Sequence, residues 1–132
     1  MDLGISPRVA PLLEEVRNYI TEQVMPIEPA FFDEVRKGSP WEYTDRQTEI
    51  LEDLKRGARE RGLWNFFLTG PEGSGLTTVD YAYLAEEMGK CHLGAEVFNC
   101  SAPDTGNMEV LHRFGSEAQK QQWLEPLLNG EI

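Results

Sequence analysis

The sequence predicts an all-α fold, an up-and-down bundle of about five or six helices. Three observations carry that expectation. Apolar residues recur three and four positions apart over most of the chain, the period of a helix with one buried face. Two capping boxes, TDRQ from Thr44 and SEAQ from Ser116, announce helix starts. No alternating apolar and polar run is long enough to make a convincing strand. With 132 residues, 40% of them hydrophobic, the chain is expected to form a single domain over 1–132 that buries one core.

In chain order, Ser6 and Pro7 read as N-cap and first helical residue, after which Val9, Leu12, Leu13, Val16, Tyr19 and Ile20 follow at helical spacing. Met25 and Pro26 are expected to close this helix, because the residue before a proline is pushed out of the helical region. Residues 27–43, with Pro29, Gly38 and Pro40, read as a partly ordered connection. A second helix starts at the Thr44 box, turns Ile50, Leu51, Leu54 and Ala58 inward, and ends at Gly62 as C-cap. Beyond GLWNFFL and the loop TGPEGSG, Thr77 to Lys90 forms a helix whose inner stripe is either Thr78, Ala82, Ala85 and Met88 or Tyr81, Leu84 and Met88. Leu93, Val97 and Phe98 suggest another short helix. The stretch from Asn99 to Gly115, NCSAPDTGNMEVLHRFG, is small, polar and turn-forming at first. It ends in a helical turn or two from Asn107 to Phe114, with Met108, Leu111 and Phe114 as its apolar repeat. Trp123, Leu124, Leu127 and Leu128 give the last helix its apolar face, and Asn129-Gly130 stops it.

Twelve basic against 23 acidic residues give a net charge of −11, which opposes binding to phosphate backbones or anionic lipid. The basic cluster Lys55, Arg56, Arg59 and Arg61 falls at the end of the second helix, where cations complement the macrodipole. No apolar run reaches the roughly 18 residues of a membrane span, and the start has neither a secretory apolar core nor an arginine-rich presequence. A cytoplasmic location is expected on those grounds. The two cysteines, Cys91 and Cys100, are too few for a disulfide framework and are expected to pack as small hydrophobes.

The candidate chemistry is sparse. GPEGSGLT, Gly70 to Thr77, has P-loop glycine spacing, but Leu76 stands where the phosphate-binding lysine belongs and no apolar strand precedes it. An ordinary glycine-rich turn is the better reading. Cys91, His92, Cys100 and His112 lack the close pairing that converges on one zinc, so no metal is expected. Glu14-Glu15 and Glu86-Glu87 are most simply solvated faces. The residues by themselves describe a helical domain with no self-contained active site.

The arrangement GLWNFFL, a glycine-rich turn, LTTVDYAYLAEEMGKC and then EVFNCSAPDTGNMEVLHRFGSEAQKQQWLEPLLNGEI resembles the N-terminal helical domain of the acyl-CoA dehydrogenase family. LAEEMG and FGSEAQKQQWLEPLLNGEI resemble the general pattern, whereas NCSAPDTGNMEVL is similar to the long-chain subgroup of family members 10 and 11. The resemblance covers about Pro7 to Ile132. It implies a flavoprotein oxidoreductase of fatty acid β-oxidation, in which an α-proton is removed from an acyl thioester, a hydride passes to FAD, and the electrons go on to an electron-transferring flavoprotein.

In that family the threonine-rich flavin-binding segment belongs to a β-domain following the position of the final GEI, and the glutamate base belongs to a later helical domain. Neither is in these 132 residues, so the resemblance assigns no catalytic residue, and the chain alone is expected to be inactive and not to bind FAD tightly. Homo-oligomers are expected only of the complete enzyme. The resemblance implies a wall for the acyl chain, at Ala95, Phe98, Asn99, Ser101 and Gly106, in which the small residues let backbone approach an alkyl chain and Pro103 fixes the bend; the alternative is a well-capped interhelical turn that touches no ligand. It also places Leu63 and Leu76 where family members present an apolar patch to the electron-transferring flavoprotein, the alternative being simple packing of the loop onto the helices. The alternative is a free-standing helical interaction module without catalysis.

Overall fold

The computed structural model describes residues 3–71 and 73–132. It is all helical, with no strand among the described residues. The first helix runs unbroken through α1 (Val9–Tyr19), a π-turn over Ile20–Val24 and α2 (Met25–Glu34). Then follow α3 (Asp45–Glu60), α4 (Thr78–Met88), the short α5 (Gly94–Val97) and α6 (Asp104–Phe114). The last helix is again continuous, through α7 (Glu117–Gln119), a π-turn over Lys120–Leu124 and α8 (Glu125–Asn129). Taken as unbroken helices these make six. None of the described helices is long and apolar enough to cross a membrane.

The expected stop at Met25-Pro26 and the connection over 27–43 are corrected: the helix continues through Pro26 and Pro29 to Glu34. A proline inside a helix lacks a donor and its ring collides with the carbonyl four residues back. Here the preceding turn is widened instead, with the Met25 N–H donating to Ile20 O, five residues earlier. The C-terminal helix repeats the device before Pro126, where Glu125 N–H donates to Lys120 O. In both places the wide turn carries the chain past a residue that would otherwise break it.

The capping signals act as their chemistry dictates. Thr44 Oγ1 accepts from Gln47 N–H at 3.2 Å while Gln47 Oε1 accepts from Thr44 N–H at 3.0 Å. Gln47 is buried, and its amide also donates to Phe31 O at 3.3 Å, tying α3 to α2. Gly62, at φ +71°, closes α3 with two backbone bonds, Leu63 N–H to Ala58 O and Gly62 N–H to Arg59 O, both 2.9 Å. Ser6 begins the first helix by hydrogen bonding, its hydroxyl accepting from Val9 N–H at 3.2 Å, although regular helix starts only at Val9. Tyr81, Leu84 and Met88 form the inner stripe of α4, and Thr78 and Ala82 are exposed.

Two side-chain ties fix α1 on α4: Ser6 Oγ donates to Asp80 Oδ1 at 2.7 Å, and Arg17 donates to Glu87 Oε1 at 2.7 and 3.1 Å. Tyr19 Oη donates to Leu54 O at 2.7 Å in the core between α1 and α3. That approach requires Gly57, because a Cβ there would lie 2.5 Å from the tyrosine oxygen. The basic cluster is consumed internally. Lys55 pairs with Glu96, Arg56 with Asp53, Arg59 lies over Trp64 and Arg61 over Tyr19.

Candidate functional site

The region assigned to the acyl wall begins at α5 and runs into α6. Phe98 is completely buried, edge-on to Tyr19 with ring centroids 5.8 Å apart and tilted against Phe66 at 6.0 Å. A side chain of that size contributes about 2–3 kcal/mol by its burial, so Phe98 anchors this segment to the core. Ala95 on α5 and Ser101 after it are half-buried, whereas Gly106 is exposed and a Cβ added there would meet nothing within 4 Å. Asn99 takes the left-handed conformation at φ +54° and turns the chain toward Cys100.

The segment after Ser101 differs from the open turn expected of it. Helix α6 starts at Asp104, just past Pro103, so Gly106 lies in a first helical turn. Of the expected apolar repeat, Met108 is buried, but Phe114 is 80% exposed. The residues of α6 that share a row with Gly106 are Val110 and Phe114, four positions apart, and both point outward. This uncovered row is a feature the periodicity alone did not separate from the core face.

Leu63 and Leu76 are both buried, Leu63 at 1% and Leu76 at 4% exposure. The apolar patch expected of them is therefore not on the surface of this chain. Leu76 instead closes the glycine loop, where Gly70 N–H donates to Leu76 O at 2.9 Å, Gly75 N–H to Gly70 O at 2.8 Å and Ser74 N–H to Leu68 O at 2.7 Å. Those amides are satisfied within the loop and do not form a phosphate cradle; Glu72 lies outside the described residues.

Chemically, the groups here hold structure together. Asp80 and Glu87 are the buried carboxylates among the described residues. Hydrogen bonds from Ser6 and Thr77 hold the Asp80 carboxyl below its ordinary range, and Arg17 followed by Lys90 does the same for Glu87. Neither is poised to take a proton near neutral pH. Burial pushes the Cys100 thiol up to about 11 and the neighbouring Tyr81 phenol to about 12, the opposite of what a nucleophile needs. No group of three or more His, Cys, Asp or Glu among the described residues could hold a metal ion.

A family model described as acyl-CoA dehydrogenase, N-terminal domain, matches residues 8–131. The chain belongs to the acyl-CoA dehydrogenase family. It is 47% identical to acyl-CoA dehydrogenase family member 10 of Mus musculus over 98% of its own length, and 48% identical to family member 11 of Rattus norvegicus over 96%. It is 44% identical to the probable acyl-CoA dehydrogenase FadE2 of Mycobacterium tuberculosis over its whole length. A solved structure from Mycobacterium abscessus assigned to the acyl-CoA dehydrogenases superposes on 98% of the chain with a TM-score of 0.86 at 46% identity. The chain spans only part of each: 12%, 16% and 32% of those three relatives and 33% of the solved chain.

Proposed function

We propose that this chain acts as the N-terminal helical domain of an FAD-dependent enzyme that dehydrogenates a long-chain acyl-CoA between its α and β carbons. The observation that carries this reading is the alignment of nearly the whole chain with family members 10 and 11 at 47–48% identity. FAD would supply the redox chemistry. The fit of this chain to a flavin is poor on its own: every buried side-chain polar atom among the described residues already has a partner, and the buried carboxylates Asp80 and Glu87 are held below the range of a general base. Both flavin site and base are therefore assigned to polypeptide outside these residues. In this reading Ala95, Ser101 and Gly106 form a wall along the acyl chain, with Phe98 behind it, and the exposed row Gly106, Val110 and Phe114 packs against the remainder of the enzyme. An electron-transferring flavoprotein would accept the electrons, but not by docking on the side chains of Leu63 and Leu76, which are buried.

The test is Gly106→Trp in the complete enzyme. The position has open space around it, so the domain is expected to fold unchanged. If a long acyl chain passes there, kcat/KM for long-chain relative to short-chain acyl-CoA should fall by about 10-fold or more. An unchanged chain-length preference would remove Gly106 from the wall.

A further inference from the structure

Four side-chain donors from distant parts of the sequence converge on the last turn of α8. Asn99 Nδ2 donates to Leu127 O at 3.0 Å. Trp64 Nε1 and Asn65 Nδ2 both donate to Leu128 O, at 2.7 and 2.8 Å. Arg59 Nη1 reaches Asn129 O at 2.8 Å. The final carbonyls of a helix have no partner within it, and here they are satisfied by tertiary contacts. The two asparagines are also bound to each other, Asn99 Nδ2 to Asn65 Oδ1 at 2.7 Å, and Asn65 N–H donates to Phe98 O at 3.1 Å.

Both asparagines adopt positive φ, +57° at Asn65 and +54° at Asn99, and they share that conformation with no other described non-glycine residue. Side chains seldom take it, and asparagine least reluctantly. Gly130, at φ +67°, follows at once, and a Cβ there would lie 2.8 Å from the Trp64 ring. The chain leaves the bundle through this cluster.

The geometry points to a positioning pair: Asn65 and Asn99 clamp the end of α5 to the last turn of α8, so that the proposed wall on either side of Asn99 and the direction of the chain at Gly130 are set together. In a longer enzyme the acyl wall and the polypeptide that follows could not then shift independently. The clamp draws its functional weight from the reading above, but the experiment that tests it contains no acyl-CoA, so the two stand or fall separately.

The experiment is hydrogen exchange by NMR on the 15N-labelled 132-residue chain and on Asn99→Gly. Glycine keeps the backbone turn and relieves its strain while deleting both bonds of the Asn99 amide. The clamp predicts that in the parent the Trp64 indole N–H is protected while that of Trp41, which is 91% exposed, is not. In Asn99→Gly the Trp64 indole and the Gly130 and Glu131 amides should exchange at least about 10-fold faster, with α3 and α4 amides unchanged. Asn65→Asp, which keeps the oxygen that receives Asn99 but loses the N–H to Leu128, should loosen the same turn. Unchanged exchange at Trp64, Gly130 and Glu131 in both variants would overturn the clamp.

Discussion

Glu87 shows how this domain handles charge at the scale of a single residue. Its carboxylate is buried on α4 and held by Arg17 from α1 and Lys90 from its own helix end. Because its pKa is lowered below the ordinary 4.5, mainly by the Arg17 hydrogen bonds, the folded state binds its proton less readily than the unfolded chain. The resulting stabilisation is present above pH 4.5 and is lost as pH falls through the folded value. Arg17→Ala is therefore expected to lower Tm by a few degrees at pH 7, with the gap to the parent closing below about pH 4.5. Thermal unfolding across that range checks it, and a gap independent of pH would contradict it. Asp80 obeys the same sign through Ser6 and Thr77.

At the scale of elements, Pro26 and Pro126 each follow a wide turn, whereas Pro29 lies inside α2. If the π-turn over Ile20–Val24 relieves Pro26, Pro26→Ala should change stability by less than about 1 kcal/mol, whereas proline in place of exposed Asn18, where no wide turn precedes it, should cost about 3 kcal/mol or more. Denaturant unfolding of the two variants decides it; a large gain for Pro26→Ala would mean that the turn does not absorb the strain. The same contrast explains what could be read in the sequence. Thr44 with Gln47 and Ser116 with Gln119 were legible because both partners of each cap lie within four residues. Pro26 misled because its effect depends on the hydrogen-bond register of the turn before it. Phe114 misled in a different way: periodicity marks a residue as apolar, but which face is covered is settled by helices far off in the chain, and the same packing buries Leu63 and Leu76. The Asn65 and Asn99 contact joins residues 34 positions apart, and no local pattern announces it.

For the whole molecule, the helices share one hydrophobic core. Among the described residues its buried side-chain polar atoms are partnered, the buried carboxylates Asp80 and Glu87 are held ionised and the basic cluster is spent on internal contacts. Among the large apolar side chains the bundle exposes, Val110 and Phe114 form a row beside the proposed acyl wall. Relatives that contain this domain are three to eight times longer, since it spans 12% to 32% of their length. In the proposed enzyme, flavin, base and most of the acyl-CoA contact belong to polypeptide outside these residues. Calorimetric titration of the purified 132-residue chain with FAD and with a long-chain acyl-CoA, the flavin absorbance followed in parallel, tests that division most directly. No binding heat and an unchanged flavin spectrum are expected; tight binding of either ligand to this chain alone would show that the domain holds a site of its own.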